Sequence, residues 1–356
     1  SSGTAHVLPA ACLHTDTCLL PNSPGGEGVV FLCPLSLKAH MPLSLTMAIG
    51  CAHDAADAGK MVQTLRKEGA AACLRQAQSF WQKKLEKLLA FGLDDHLTPY
   101  INRWLPYQAL CARLMARTGP YQAGGAFGFR DQLQDLLCCL HTDEEAVRRH
   151  LLLCAAHQYR EGDVQHWWHP PRTGVRTRIS DDKLFLPFIT ALYVQITGDR
   201  DVLEEQAPFL LSPPLKAEEH DRYETPGISL HTASLMDHCL LAMESVSFSP
   251  RGIPLMGSGD WNDGMNRVDG ESVWLGFFLC MVYQQFAPLC EPAVARKLMQ
   301  KRSLLLQALE AAWTGKWYLR AWYKNGDAMG GPHTQPPRID LISQAFACLA
   351  GAPREH

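Results

Sequence analysis

At 356 residues, with 47% hydrophobic and 19% charged residues, the chain is long enough for a large buried core and too apolar for disorder. A net charge of −3 excludes a nucleic-acid or anionic-membrane surface as its organising feature. The 13 cysteines are odd in number and lack paired CxxC spacing, which argues against a disulfide framework or a zinc site and for reduced thiols in a cytoplasmic protein.

Residues 1–53 carry many Pro and Gly and short apolar runs such as VVFL and LSLTMAIG, with PNSPGGEG as a turn. They read as the tail of a β-domain, too few strands for an independent sheet. From Asp54 the pattern becomes helical. One long helix starts there and is broken near Gly69, within linker helices spanning 54–95. Further helices are expected over 101–117, 129–141, 143–160, 181–199 and 229–246, after Glu271, and over 291–313 and 339–351. Long and short connections alternate between them, the rhythm of a helical toroid over 96–356 with functional loops at one mouth. No recurring period supports a solenoid. No secretory signal is present, nor an apolar run long enough to span a bilayer. The chain opens on Ser1 rather than Met, which reads as a piece of a longer polypeptide.

The chemistry concentrates in PLMGSGDWNDGMNRVDGESVWLG, residues 254–276. Asp260, Asp263, Asp269 and Glu271 fall there among glycines, beside Trp261 and Trp274. Carboxylates beside an aromatic platform suit a sugar: a proton donor, hydroxyl acceptors and a flat apolar face. A solvated acidic turn or a calcium loop is the alternative, although the spacing is not that of an EF-hand. In QAGGAFGFRDQLQD (122–135), Arg130, Asp131 and Asp135 can reach a pocket at a helix start, or can form ion pairs on a capped helix. In DVQHWWHPPRTGVRTRISDD (163–182), His166 and His169 flank Trp167 and Trp168 near Arg172, Arg176 and Arg178. That wall suits a sugar subsite, or an aromatic loop packed over the barrel mouth; a metal would need a third ligand. Asp181 and Asp182 read as caps of the next helix. GKWYLRAWYKNGD (315–327) reads as packing, and no GxSxG elbow or His-paired cysteine supports a covalent nucleophile.

NRWLPYQALCARLMARTGPYQAGGAFGFRDQLQDLL, GDVQHWWHPP, GVRTRISDDKLFLPF, LMGSGDWNDGMNRVDGESVWLGFFL and IDLISQAFACLAG stand in the same order as in glycoside hydrolase family 94. The chain resembles that cellobiose-phosphorylase family over roughly residues 42–352, and within it the C-terminal domain of cyclic β-1,2-glucan synthases and the β-1,2-oligoglucan phosphorylases. The resemblance implies a mainly α fold, an (α/α)6 barrel preceded by a β-sandwich. On that implication the sandwich is expected to be a remnant here and the barrel to be incomplete at its C-terminus. It implies inverting phosphorolysis of a β-glucoside to α-glucose 1-phosphate, with Asp263 as general acid and inorganic phosphate as co-substrate, and no other cofactor or metal. Trp261 would line the glucosyl subsite, and Arg130 with Asp131 or Asp135 would bind its hydroxyls. His166, Trp167, Trp168, Arg178 and Glu271 complete the candidate binding set. The phosphate-binding His and Gly-rich loop of the family are expected beyond His356. The expected partners are a β-glucan oligosaccharide and phosphate, in a polypeptide belonging to a larger synthase, with a homodimer as the candidate assembly. A non-catalytic glucan-binding module and an inverting hydrolase are the alternatives. Lys183 and Phe185 depart from the family pattern, which has Leu and Trp there.

Overall fold

The computed structural model describes residues 18–19, 31–32, 39–41, 54–87, 89–111, 125–333 and 338–353. The expected turn at 21–28, the strand at 43–50, the helical residues 112–117 and the glycines before Gly125 lie outside them. The chain divides into two compact units, Ser1–Lys84 and Leu85–His356.

In the first unit, β1 (Cys18–Leu19) pairs antiparallel with β2 (Phe31–Leu32). Two helices follow, α1 (Ala55–Glu68) and α2 (Ala70–Leu85). Asp54 caps α1 by accepting the Asp57 N–H at 2.9 Å. Gly69, at φ 79°, ends it in a conformation that side chains disfavour, so the break falls where the sequence placed it.

The second unit is helix-rich, with small antiparallel sheets. A short helix α3 (Leu97–Pro99) runs through one π-helical turn at 100–104 into α4 (Leu105–Ala109). Pro106 therefore lies inside a helical run that begins earlier than expected. The turn before it widens, with Leu105 N–H reaching back five residues to the Tyr100 carbonyl. The remaining helices are α5 (Phe129–Asp135), α6 (Glu144–Ala155), α7 (Phe185–Thr197), α8 (Leu235–Glu244), α9 (Val273–Phe286), α10 (Pro292–Leu309) and α11 (Leu341–Leu349).

Helix α9 is the centre. Its run VWLGFFLCMVY is buried from Val273 to Tyr283 and packs against α7, α10 and α11. Phe278 meets Phe185 and Phe188 from α7, Trp274 from its own helix and Phe346 from α11. Gly276 brings α10 close, since a Cβ there would stand 2.7 Å from the Leu309 side chain. Cys139, Cys154, Cys239 and Cys280 are buried thiols. Burial raises the thiol pKa of Cys154 and Cys239, and that of Cys280 rises to about 12.

The sheets are the part that helical periodicity does not announce. β3 (Phe127–Gly128), β4 (Gln165–His169), β5 (Thr173–Thr177) and β7 (Asp221–Glu224) form one antiparallel sheet in that order. β6 (Gln206–Leu211) pairs with β8 (Gly227–Ser234). β9 (Glu271–Ser272), β10 (Ala321–Trp322) and β11 (Ala328–Met329) form a third, with β10 in the middle. The helix expected over 229–246 is thus corrected. Its first third is strand β8, and Ser234 starts α8 by accepting the Asp237 N–H at 3.1 Å. Backbone pairing with β6 outweighs the weak helical preference of Ser, Thr and His there. The helix expected from 181 likewise begins at Phe185, after a 3-10 turn at 182–184. Among the described residues, no helix is long and apolar enough to cross a membrane.

Lys183 in that turn is a part-buried ammonium that donates to the Ser245 carbonyl at 2.9 Å. Burial lowers its pKa from 10.5 to about 8, against the pull of Asp163 and Asp182. The unfolded chain therefore binds the proton more tightly between those values, and stability rises with pH from about 8 towards 10.5. Below pH 8 the charged lysine costs about 3 kcal/mol at most, and about 2 kcal/mol allowing for partial exposure. Lys183→Met is expected to raise denaturant stability by about that much at pH 7, with the gain vanishing above pH 10. A variant less stable than the parent at pH 7 would count against this account of the site.

Candidate active site

Four segments meet around one guanidinium. The N-terminal turn of α5 supplies Arg130, and β4 supplies His166. The turn after β5 supplies Asp181 and Asp182, and the loop before β9 supplies Asp260 and Asp263. Ile179 bridges to Gly257 and Gly259, tying the last two segments together. Ser258 N–H donates to the Arg178 carbonyl at 3.1 Å, and Ser180 N–H donates to the Gly259 carbonyl at 3.0 Å. Gly257 sits at φ 67°, and a Cβ there would collide with the Arg178 carbonyl oxygen, so only glycine fits this crossing.

Arg130 is buried, and its planar fork spans the cluster. Nη1 donates to Asp181 at 3.3–3.4 Å and to the Asp260 carbonyl at 3.2 Å. Nη2 donates to Asp263 Oδ1 at 3.0 Å and Oδ2 at 3.3 Å. Asp182 Oδ1 lies 3.7 Å from Nη1, and Asp131 Oδ1 lies 4.0 Å from Nε. Burial opposes the guanidinium's charge, but Asp181, Asp182 and Asp263 outweigh it and hold the proton more firmly than usual. One cation among several carboxylates leaves negative charge in excess. Asp181 shows the result: burial and then Asp182 push its carboxyl well above the usual range, against Arg130.

The acidic loop is built from its own sequence. Asp260 Oδ1 accepts the Asn262 N–H at 3.1 Å, and Asn262 Oδ1 accepts the Gly264 N–H at 3.0 Å, two successive side-chain-closed turns. Asp260 is itself clamped from below. Arg320 Nη2 donates to Oδ1 at 2.6 Å, and Ser272 Oγ donates to Oδ2 at 2.6 Å. Ser272 also caps α9 by accepting the Leu275 N–H at 3.1 Å. The loop therefore stands on the end of the central helix, and Asp263 and Trp261 project from it. The Asp263 side chain is 51% exposed, whereas those of Asp181 and Asp182 are 0% and 2% exposed.

Of the residues nominated from sequence, Arg130, Asp131, His166 and Asp263 come together, with Trp261 exposed beside them. Asp135 lies one turn further along α5, part-buried. Trp167 stands on β4 against His169 and Tyr223. Trp168 turns to the opposite face, buried and stacked on His157 at 3.8 Å between ring centroids. The guanidinium of Arg178 donates to the carbonyls of Leu215, Lys216 and Glu219, holding that loop. Glu271 faces Arg251 at 3.8 Å while its neighbour Ser272 faces Asp260, as alternation along a strand requires. Trp168, Arg178 and Glu271 are thus directed away from the Arg130 cluster. Of the other arginines in that stretch, Arg176 is buried on Asp163, Glu161 and the Tyr159 ring.

Asp181, Asp182, Ser272 and Arg320 were not nominated, and Asp260 was named only as one of the carboxylates of its loop. Asp181 and Asp182 precede a helix, as caps do, yet Leu184 occupies the cap position and their carboxylates serve the cluster. The signal available was their burial beside an apolar run, which suits a paired charge better than a cap. Nothing local marks Arg320, whose partners Asp340, Ser272 and Asp260 lie 20 to 60 residues away.

A family model described as the glycosyl hydrolase 94 superfamily, catalytic domain, matches residues 80–356. The chain is 38% identical over 332 residues to the cyclic beta-(1,2)-glucan synthase NdvB of Rhizobium meliloti (strain 1021), across 89% of this chain and 12% of that protein. It is 25% identical over 319 residues to the 3-O-beta-D-glucopyranosyl-beta-D-glucuronide phosphorylase of Paenibacillus borealis, across 85% of this chain and 38% of that enzyme. It is 26% identical over 203 residues to the 1,2-beta-oligoglucan phosphorylase of Listeria innocua serovar 6a, across 54% of this chain and 17% of that enzyme. The chain thus spans 12% to 38% of the length of these relatives.

Proposed function

The chain belongs to the glycosyl hydrolase 94 superfamily, and from that premise we propose that it is a glycoside-phosphorylase domain acting on β-linked glucose oligomers. The helices from α3 onward are read as part of the family's (α/α)6 barrel, with linker helices over 54–95 before it. The reaction is inverting phosphorolysis of a β-1,2-glucoside to α-glucose 1-phosphate, in a cytoplasmic part of a larger synthase polypeptide.

One observation carries this reading. Asp263 accepts from Arg130 Nη2, yet its side chain is 51% exposed, more than those of Asp131, Asp181 and Asp182, and it follows the exposed Trp261 by two positions. Asp263 protonates the glycosidic oxygen as the bond breaks. The Trp261 face supports a glucosyl ring, and Arg130 with Asp131 offers donors and acceptors for its hydroxyls. Phosphate attacks the opposite face and, already anionic, needs no general base. An inverting hydrolase needs a second carboxylate roughly 6.5–9.5 Å from the first to activate water. Asp181 and Asp182 are too deeply buried for that task. A second reading, a glucan-binding module without turnover, is favoured by the synthase relative, of which the chain matches only 12%.

The test is product analysis with β-1,2-, β-1,3- and β-1,4-glucooligosaccharides, with and without phosphate. It is run on this chain and on any longer polypeptide that carries it. Glucose 1-phosphate is expected from the β-1,2 series alone and only with phosphate. Sugar released without phosphate would indicate hydrolysis, and binding without turnover in every form would favour the second reading.

A further inference from the structure

His166 is held between two carboxylates. Its Nδ1 lies 2.7 Å from Asp182 Oδ2, and its Nε2 lies 3.8 Å from Asp263 Oδ2. Asp182 accepts only from Nδ1–H, which fixes the ring and turns Nε2 toward Asp263. The imidazole is 18% exposed and Asp182 is 2% exposed, so the pair is a built feature rather than a surface contact. Asp263 is half exposed and on a loop, and a shift of about 1 Å closes the gap to a hydrogen bond. The charges facing His166 are Asp182 from the turn before α7, Asp263 from the acidic loop and Arg130 from α5. Asp181 shares Arg130, and Lys183 lies within electrostatic reach of Asp182.

We propose that His166, oriented by Asp182, is the group that returns a proton to Asp263 between turnovers, an assignment that rests on the reading of Asp263 as the general acid. In the forward step, the Asp263 carboxyl gives its proton to the glycosidic oxygen. The C1–O bond breaks with its electron pair on that oxygen, and a phosphate oxygen forms the new C1–O bond. Monohydrogen phosphate enters with one proton and leaves as an ester dianion with none, so each turnover releases the proton that the acid must regain. His166 Nε2–H passes its proton to Asp263 Oδ2. The neutral ring, its Nδ1–H still held by Asp182, then takes up the proton released from phosphate through solvent. The local charges favour the reloading half of this cycle, while the transfer to Asp263 runs uphill and is drawn by consumption of the proton at the glycosidic oxygen. Burial by itself favours the neutral ring, but Asp182 and Asp263 outweigh it against Arg130 and hold the imidazolium above its ordinary range. His166 is thus a proton carrier rather than a hydroxyl ligand of the sugar.

The test compares His166→Gln, Asp182→Asn and Asp263→Asn on glucosides of graded leaving-group acidity, from a β-1,2-glucooligosaccharide to 2,4-dinitrophenyl β-glucoside. His166→Gln is expected to lower kcat on the oligosaccharide 10- to 100-fold with KM nearly unchanged. The loss should shrink as the leaving group becomes more acidic, and one limb of the kcat–pH profile should shift. Asp182→Asn should shift the same limb by less. A rise in KM with the pH profile unmoved, or equal losses across the series, would make His166 a binding or packing residue and overturn the proposal. Full oligosaccharide activity in Asp263→Asn would instead overturn the general-acid reading itself, so the two failures are distinct.

Discussion

Asp263→Asn is expected to leave the fold intact and to lower phosphorolysis of an oligosaccharide by about 10³-fold, within the 10²- to 10⁴-fold range of a lost general acid. The fold survives because the side chain is half exposed and its loop is anchored elsewhere. Asp260 closes the turn onto Asn262 N–H and is clamped by Arg320 and Ser272. An amide at this position can still accept from Arg130 Nη2 through its oxygen, so the local geometry is kept. What it lacks is a proton to give to the departing oxygen. Melting temperature and steady-state kinetics check both halves. A variant with more than a tenth of the parent activity would remove Asp263 from the acid role.

Arg130→Met is expected to act on both stability and activity. The guanidinium is buried and faces Asp181, Asp182 and Asp263, with a further bond to the Asp260 carbonyl. Removing it leaves Asp181 without its cation and Asp182 with His166 alone, and breaking a buried pair from one side costs about 3–5 kcal/mol. For a unit of this size that is a fall of roughly 10 °C in melting temperature. The penalty carries a pH signature. Asp181 already has its folded pKa raised by burial and Asp182, so protonation stabilises the fold as pH falls through that value. Without Arg130 that dependence strengthens, and the gap between variant and parent should narrow from pH 7 to pH 5. Arg130→Lys should recover little, because one ammonium cannot reach Asp181, Asp263 and the Asp260 carbonyl at once. A variant as stable as the parent at pH 7 would mean the buried carboxylates are already neutral.

Local chemistry explains what could be read before any coordinates. Gly69 divides α1 from α2 because a left-handed position needs glycine. The run after Ser272 is a buried helix because it is apolar on every face. Asp260, Asn262 and Gly264 stand at alternate positions, as two consecutive side-chain turns require. Elements made by distant partners were less legible. The strands at 165–169 and 173–177 are ladders between segments rich in Trp, His and Arg, which carry little alternation to announce them. Strand β8 was read as helix because its apolar residues also fit a helical spacing. Within the site, Arg130, His166 and Asp263 could be nominated as reactive types near glycines and aromatics. Asp181 and Asp182 were read as caps, since their positions before α7 imitate one. Trp168 and Trp167 are adjacent and so point to opposite faces, and pairing alone decides which is buried. Arg320 reaches Asp260 across 60 positions, a relation no local pattern carries.

The most direct measurement of the central claim is ¹H and ³¹P NMR of the first sugar product formed from a β-1,2-glucooligosaccharide in the presence of phosphate. The account predicts an α-anomeric proton coupled to phosphorus, appearing at once with the parent protein and absent when phosphate is withheld. Free glucose released at the same rate with or without phosphate would contradict it.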